Sequence, residues 1–187
     1  MNSLSKEIRY RVNHLDEIVS VNEAWDAFAA DNCGAHLTAP HVIGRPLWDF
    51  IADRTTRLVY RDVLARARRG HPVSFDFRCD APDCRRRLRM EVLGEPDDCA
   101  EFRVRPLSVE PRPMQPLLDP NQPHSEALLR VCGWCKKVDV GNRWVEVEEA
   151  VPLLRLFEKP RLPDITHGIC EVCYTRMLAT LDDGLAS

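Results

Sequence analysis

Two short cysteine pairs, Cys132-Gly-Trp-Cys135 and Cys170-Glu-Val-Cys173, constrain this chain more than any other feature. Two residues between cysteines let a tight turn aim both thiolates at one centre, so two such pairs supply the four corners of a tetrahedron. Sulfur donors in that geometry suit zinc first and an iron–sulfur centre second. The 34 residues between the inner cysteines exceed a usual zinc-finger spacer, so a folded segment must lie between the pairs. The candidate metal ligands are therefore Cys132, Cys135, Cys170 and Cys173; His167 could replace a thiolate, but with four cysteines available the expected role is a hydrogen bond to a ligand or a purely structural one. A closed four-thiolate shell leaves no open position for substrate, so the predicted role of the metal is structural.

The remaining cysteines, Cys33, Cys79, Cys84 and Cys99, show no pairing and read as core or surface thiols. Eight cysteines would fit a disulfide framework only in an oxidising compartment. The opening Met1-Asn-Ser-Leu-Ser-Lys-Glu has no apolar core of an export signal, so the expectation is a cytoplasmic protein with a metal-bound cluster. No stretch approaches the ~18 consecutive apolar residues of a membrane span. The net charge of −3 gives no drive toward polyanions, and residues 131–187 carry seven Lys/Arg against nine Asp/Glu. The cysteine module thus lacks a basic footprint, and nucleic acid is not the expected partner.

Ahead of the pairs, hydrophobic periodicity spells out a mixed fold. Ile8, Tyr10 and Val12 alternate with Glu7, Arg9 and Arg11 in a half-buried strand, and a short strand around Glu17–Val21 follows. Asn22 caps a predicted helix carrying Trp25, Phe28 and Ala29 on one face. Residues 31–40 read as loop, 42–51 as a short helix opened by Pro46, and Asp53 as the cap of a longer helix closed by Gly70. In that helix Val59, Val63, Leu64 and Ala67 form the apolar stripe while the arginines face water. Three hairpin-linked strands come next, burying Phe75 and Phe77, then Leu88, Met90 and Val92, then Phe102 and Val104. Beyond Pro106 the inward phase passes to Leu107 and Val109, as a bulge would cause. The run Arg85, Arg86, Arg87 and Arg89 reads as a solvated sheet edge.

The resulting order, two strands, several helices, then three strands, predicts an α+β fold with an antiparallel sheet and helices on one face. On Val21-Asn-Glu-Ala-Trp25, Val42-Ile-Gly-Arg-Pro-Leu-Trp48 and Phe77-Arg-Cys-Asp80, residues 6–110 resemble a PAS domain. The tail, with Cys132-x-Trp134-Cys135-Lys136-Lys137, Trp144 and His167-Gly-Ile-Cys170-x-x-Cys173, resembles the cysteine-rich extension that follows sensory domains in bacterial signalling proteins. The resemblance implies a sensory or interaction domain over 1–110, and composition gives a proline-rich linker over 111–130 and a zinc module over 131–187. That linker is expected to limit shared contacts, leaving the N-terminal part to fold on its own. Within the tail, Ser125–Val131 reads as a helical turn, residues 144–147 as a strand and residues 148–158 as a helix with Pro152 in its first turn.

No phosphate loop, nucleophile elbow or kinase segment is present, so the chain is predicted not to be an enzyme. What the resemblance implies instead is signal reception relayed through a protein partner or a second copy, with a small-molecule ligand in the PAS-like core as an open option. His36, His41 and Cys79 are the residues a haem or flavin would need, and none sits in a pattern that favours one. The rival functions are a nucleic-acid-binding regulator and a thiol-based redox sensor.

Overall fold

The computed structural model describes residues 6–119 and 121–182, so the expectation placed on the opening five residues, and Pro120 of the proline-rich segment, lie outside the described residues. Among the described residues, nine strands and five α-helices follow one another. Strands β1 (Ile8–Val12) and β2 (Ile18–Val21) lead into helices α1 (Glu23–Asp31), α2 (Ala39–Val42) and α3 (Arg54–Arg68). Strands β3 (Val73–Arg78), β4 (Cys84–Gly94) and β5 (Ala100–Pro111) complete a five-stranded antiparallel sheet ordered β2-β1-β5-β4-β3. This is the α+β arrangement, helices on one face, that the periodicity predicts.

Capping decides where the helices begin. Asn22 accepts the backbone N–H of Trp25 at 3.1 Å, and Asp53 accepts that of Thr56 at 2.7 Å, each satisfying a donor the helix leaves orphaned. From α3 the side chains of Val59, Val63, Leu64 and Ala67 meet Phe75, Met90, Val92 and Phe102 of the sheet in one buried cluster. Each fully buried Val or Leu contributes about 1.5–3 kcal/mol. Tyr10 stacks on Phe102 with ring centres 4.4 Å apart and planes 6° apart, so the centre of the sheet is aromatic.

Helix and sheet approach most closely at Gly94. A β-carbon there would lie 2.2 Å from the carbonyl oxygen of Ala67, a backbone atom that cannot swing aside. Gly94→Ala is therefore expected to cost about 1–3 kcal/mol in chemical denaturation, the usual range for overpacking. An unchanged midpoint would show that the end of β4 is free to move away from α3.

Several local expectations are corrected. The arginine run lies on β4, an interior strand, because the sheet edges are β2 and β3. Arg86 is buried, donating to Asn32 Oδ1 at 2.6 Å with its guanidinium over the Phe28 ring. Arg66 of α3 is buried too, donating to the carbonyl of Leu181. The β5 bulge is where it was expected, since Leu88 pairs with Pro106 and Arg87 with Ser108. Leu107 is the extra residue, though, and it is exposed instead of facing in. Residues 47–50 form a 3-10 turn where a short helix was expected, and residues 35–42 hold a 3-10 turn and α2 where a loop was expected.

The second part has its own sheet, ordered β8-β7-β6-β9, from β6 (His124–Cys132), β7 (Val138–Asp139), β8 (Trp144–Val145) and β9 (Leu162–Gly168). Strand β6 replaces the helical turn expected at Ser125–Val131, and it pairs in parallel with β9. A 3-10 turn at Pro116–Leu118 lies in the proline-rich segment, and β6 begins within the span expected as linker. Helix α4 (Val147–Leu153) stops one residue after Pro152, which has no N–H to continue it, so the helix expected over 148–158 is cut in two. Arg155 then turns the chain with φ 50°, and a 3-10 turn follows at Leu156–Glu158. Helix α5 (Glu171–Asp182) closes the chain. A compact core of Leu129, Val131, Val138, Val145, Ala150 and Leu156 holds this lobe together.

The two parts do not stand apart, contrary to the expectation of few shared contacts. Cys132, Trp134, Ile169, Cys170, Cys173 and Met177 belong to the same buried cluster as the five-stranded sheet. The backbone N–H of Arg78, at the end of edge strand β3, donates to the carbonyl of Trp134 at 2.6 Å. Ion pairs reinforce the seam. Arg78, held by its neighbour Asp80 at 2.5 Å, crosses to Glu146 at 2.8 Å, and Arg85 reaches Glu148 at 2.9 Å. Burial opposes the Arg78 charge, but its hydrogen bonds to Asp80 and Glu146 prevail and hold the guanidinium more firmly protonated than usual.

Candidate metal centre

Parallel pairing explains how two knuckles 34 residues apart in sequence come to face one another. Strands β6 and β9 run side by side in one direction, and the register sets Cys132 against Gly168. Each strand ends at the same edge of the sheet and turns into its cysteine pair there. In the first knuckle Cys132 N–H donates to the Lys137 carbonyl at 2.8 Å and Lys136 N–H to the Cys132 carbonyl at 3.0 Å. This closes a turn that places Lys136 at φ 59°, a left-handed position for a residue with a β-carbon. In the second, Cys170 precedes α5 and Cys173 sits in its first turn, with Tyr174 N–H bonded to the Cys170 carbonyl at 2.9 Å. The helix N-terminus therefore faces the sulfurs, a setting that favours thiolates.

One ligand atom from each of Cys132, Cys135, Cys170 and Cys173 lies within 4.8 Å of every other. The Cys135 and Cys170 sulfurs are 3.7 Å apart. A tetrahedron with metal–sulfur bonds of ~2.3 Å has edges of ~3.8 Å, so this separation is already that of two ligands on one ion. The Cys170 N–H points at Cys132 Sγ across 3.4 Å, the kind of contact that orients a ligating sulfur.

The charges lead to the same chemistry. S–H donation from Cys135 and Cys173 holds the Cys132 thiol far below its ordinary range. Hydrogen bonding to that sulfur pushes Cys135 up to about 12 and Cys173 well above normal. Four thiolates this close repel one another, and a bound divalent cation is the ordinary way to ionise them together. The donor set therefore fits a thiophilic metal.

The other singled-out residues fall as follows. His167 is exposed beside the first knuckle, lining a cleft of about 210 Å³ with Gly133 and Trp134. Among the described residues no hydrogen bond joins its imidazole to a cysteine. Cys79 is half-buried just past β3, and Cys33, Cys84 and Cys99 stay outside the cluster. His36 and His41 lie on the 3-10 turn and on α2, His41 Nδ1 being 2.9 Å from the Thr38 hydroxyl.

Trp134 is a residue that the spacing of the cysteines does not single out. It stands between the two cysteines of the first knuckle, yet its ring is buried against α3 and the five-stranded sheet, 5.8 Å from Tyr60 of α3 and 6.2 Å from Phe75 of β3. Its indole N–H finds no acceptor among the described residues. A large aromatic between two paired cysteines is the available signal, but its destination is a long-range contact that periodicity does not carry.

No family model matches the chain, and no curated protein matches it. Among solved structures, the chain is similar to a domain of an HTR-like protein from Haloarcula marismortui ATCC 43049, with 10% identity, 55% of this chain and 98% of that one covered, and a TM-score of 0.39. It is also similar to a sensory box sensor histidine kinase from Vibrio cholerae, with 10% identity, 57% and 86% covered, and a TM-score of 0.41. Among the described residues no helix is long and apolar enough to cross a membrane.

Proposed function

We propose that this chain is a non-catalytic signal-receiving protein in which one zinc ion, held by Cys132, Cys135, Cys170 and Cys173, pins the cysteine lobe to a PAS-like sheet. Its state is relayed by contact with another protein or with a second copy of itself. One observation carries the reading: Trp134 is fixed by the knuckle at its backbone and by Tyr60 and Phe75 at its ring. The order of the knuckle and the packing of the sheet are thereby one equilibrium. A change at either end is felt at the other, provided the two packings bind the signal with different affinity.

The zinc contributes stability and no reaction step. With four thiolates around it no position is open for a substrate, in contrast to catalytic sites that keep one. The arginines and acids at the lobe seam are consumed by one another, which leaves the acidic face of α4 poorly suited to nucleic acid.

Metal analysis with an absorption spectrum and light scattering, on the full chain before and after chelation, tests this. The expected result is one zinc per chain, no visible absorption, and a different mass or hydrodynamic radius once the metal is removed. Bands of an iron–sulfur centre, haem or flavin would overturn the zinc assignment. Identical mass and radius in both forms would overturn the coupling.

A further inference from the structure

We infer that Cys135 is a peroxide-sensitive site, reached through the groove between the outer face of β3–β4 and helix α5, with Cys170 as its disulfide partner. The inference rests on the four-thiolate reading above and adds a class of reactant, a hydroperoxide, together with the sulfur it meets first.

The groove holds about 350 Å³, and Arg87, Arg89, Arg176, Met177, Cys135 and Cys173 are among its walls. Of the four clustered cysteines, Cys135 alone is partly exposed, the other three being buried. Cys135 is therefore the residue of the cluster most open to solvent. A metal-bound sulfur is already a thiolate, the form that attacks electrophiles.

The guanidiniums give the groove its chemistry. Arg89 is committed to Asp76 through two hydrogen bonds of 2.6 and 3.1 Å. Arg87 and Arg176 make no ion pair among the described residues, and both line the groove together with Cys135. Asp76 is held below the usual carboxylate range by its Arg89 hydrogen bond and by the Arg87 and Arg105 charges, so cations outnumber acids here. Such donors stabilise the oxyanion that leaves when an O–O bond breaks.

The chemistry balances in two steps. The Cys135 sulfur attacks the distal oxygen of ROOH, an S–O bond forms, the O–O bond breaks, and RO⁻ leaves beside Arg87 and Arg176 to take a proton from water. Cys135 is then a sulfenic acid. The Cys170 thiolate, its sulfur 3.7 Å away, attacks the Cys135 sulfur, an S–S bond forms and hydroxide leaves as water after protonation. Two thiolates have given up two electrons, and the peroxide has become ROH and water. The centre has lost two of its four ligands at once, and Trp134, one residue before Cys135, has lost its anchor.

The experiment uses the full metal-loaded chain, hydrogen peroxide in stoichiometric steps, a colorimetric zinc indicator and peptide mapping of the cysteines. One disulfide joining Cys135 to Cys170 is expected, with zinc released in step. Arg176→Ala, on an exposed turn of α5 and remote from the buried core, should bind zinc normally while releasing it about tenfold more slowly under peroxide, a modest share of what one oxyanion donor can contribute. Arg176→Lys should recover part of that rate. If the chain holds zinc but the first disulfide joins Cys132 to Cys173, or Arg176→Ala releases zinc at the native rate, the inference falls and the four-thiolate reading stands. A chain that binds no metal overturns both.

Discussion

Replacing Cys170 by serine is expected to abolish zinc binding and to unfold the lobe built on β6 and β9. Cys170 is buried, its sulfur lies 3.7 Å from Cys135 Sγ, and its backbone N–H donates to Cys132 Sγ. Serine offers a hydroxyl that does not ionise at neutral pH and leaves an unpaired polar atom inside. A structural zinc site is worth about 10–16 kcal/mol of apparent binding energy. No small lobe with a core the size of the Leu129–Leu156 cluster withstands that loss. Limited proteolysis should cut Cys170→Ser readily after residue 131, and metal analysis should fall from one zinc to none. Because the knuckles share a cluster with the five-stranded sheet, a chelator should also lower the thermal midpoint of the whole chain. Full occupancy with unchanged proteolysis would remove Cys170 from the ligand set.

The second large effect belongs to Trp134. Trp134→Ala should cost about 3–5 kcal/mol, the range for removing a buried large aromatic, because Tyr60 and Phe75 are left facing a void. Trp134→Phe keeps an aromatic body and removes only an N–H that has no acceptor among the described residues, so it should cost far less, about 1 kcal/mol. Urea denaturation of the two variants decides the matter. Zinc content should persist in Trp134→Phe while the midpoint of Trp134→Ala drops. Equal losses would mean that the indole nitrogen matters more than the ring, and that its partner has been overlooked.

Much of this was legible where cause and effect are close in sequence. Asn22 and Asp53 announce their helices because a capping side chain bonds a backbone donor three residues on. The alternation through Leu88, Met90 and Val92 survives because one face of that strand is covered throughout. The two cysteine pairs were readable because each turn is local. Contacts that span the chain were not. Ser125-Glu-Ala-Leu-Leu-Arg-Val131 is rich in helix formers, yet it becomes a strand because β9, some 35 residues later, supplies its hydrogen bonds. The arginine run resembled an edge because composition cannot say how many strands lie beyond it. Burial of Arg66 depends on the Leu181 carbonyl, 115 residues away.

The parallel pairing of β6 and β9 has a consequence for how the lobe is assembled. A slip of one residue between these strands would carry one cysteine pair ~3.3 Å along the other, further than a whole metal–sulfur bond. It would also turn every side chain of the slipped strand to the opposite face. No tetrahedron survives such a shift, so an ion bound by all four sulfurs would accept only the native alignment of the two strands.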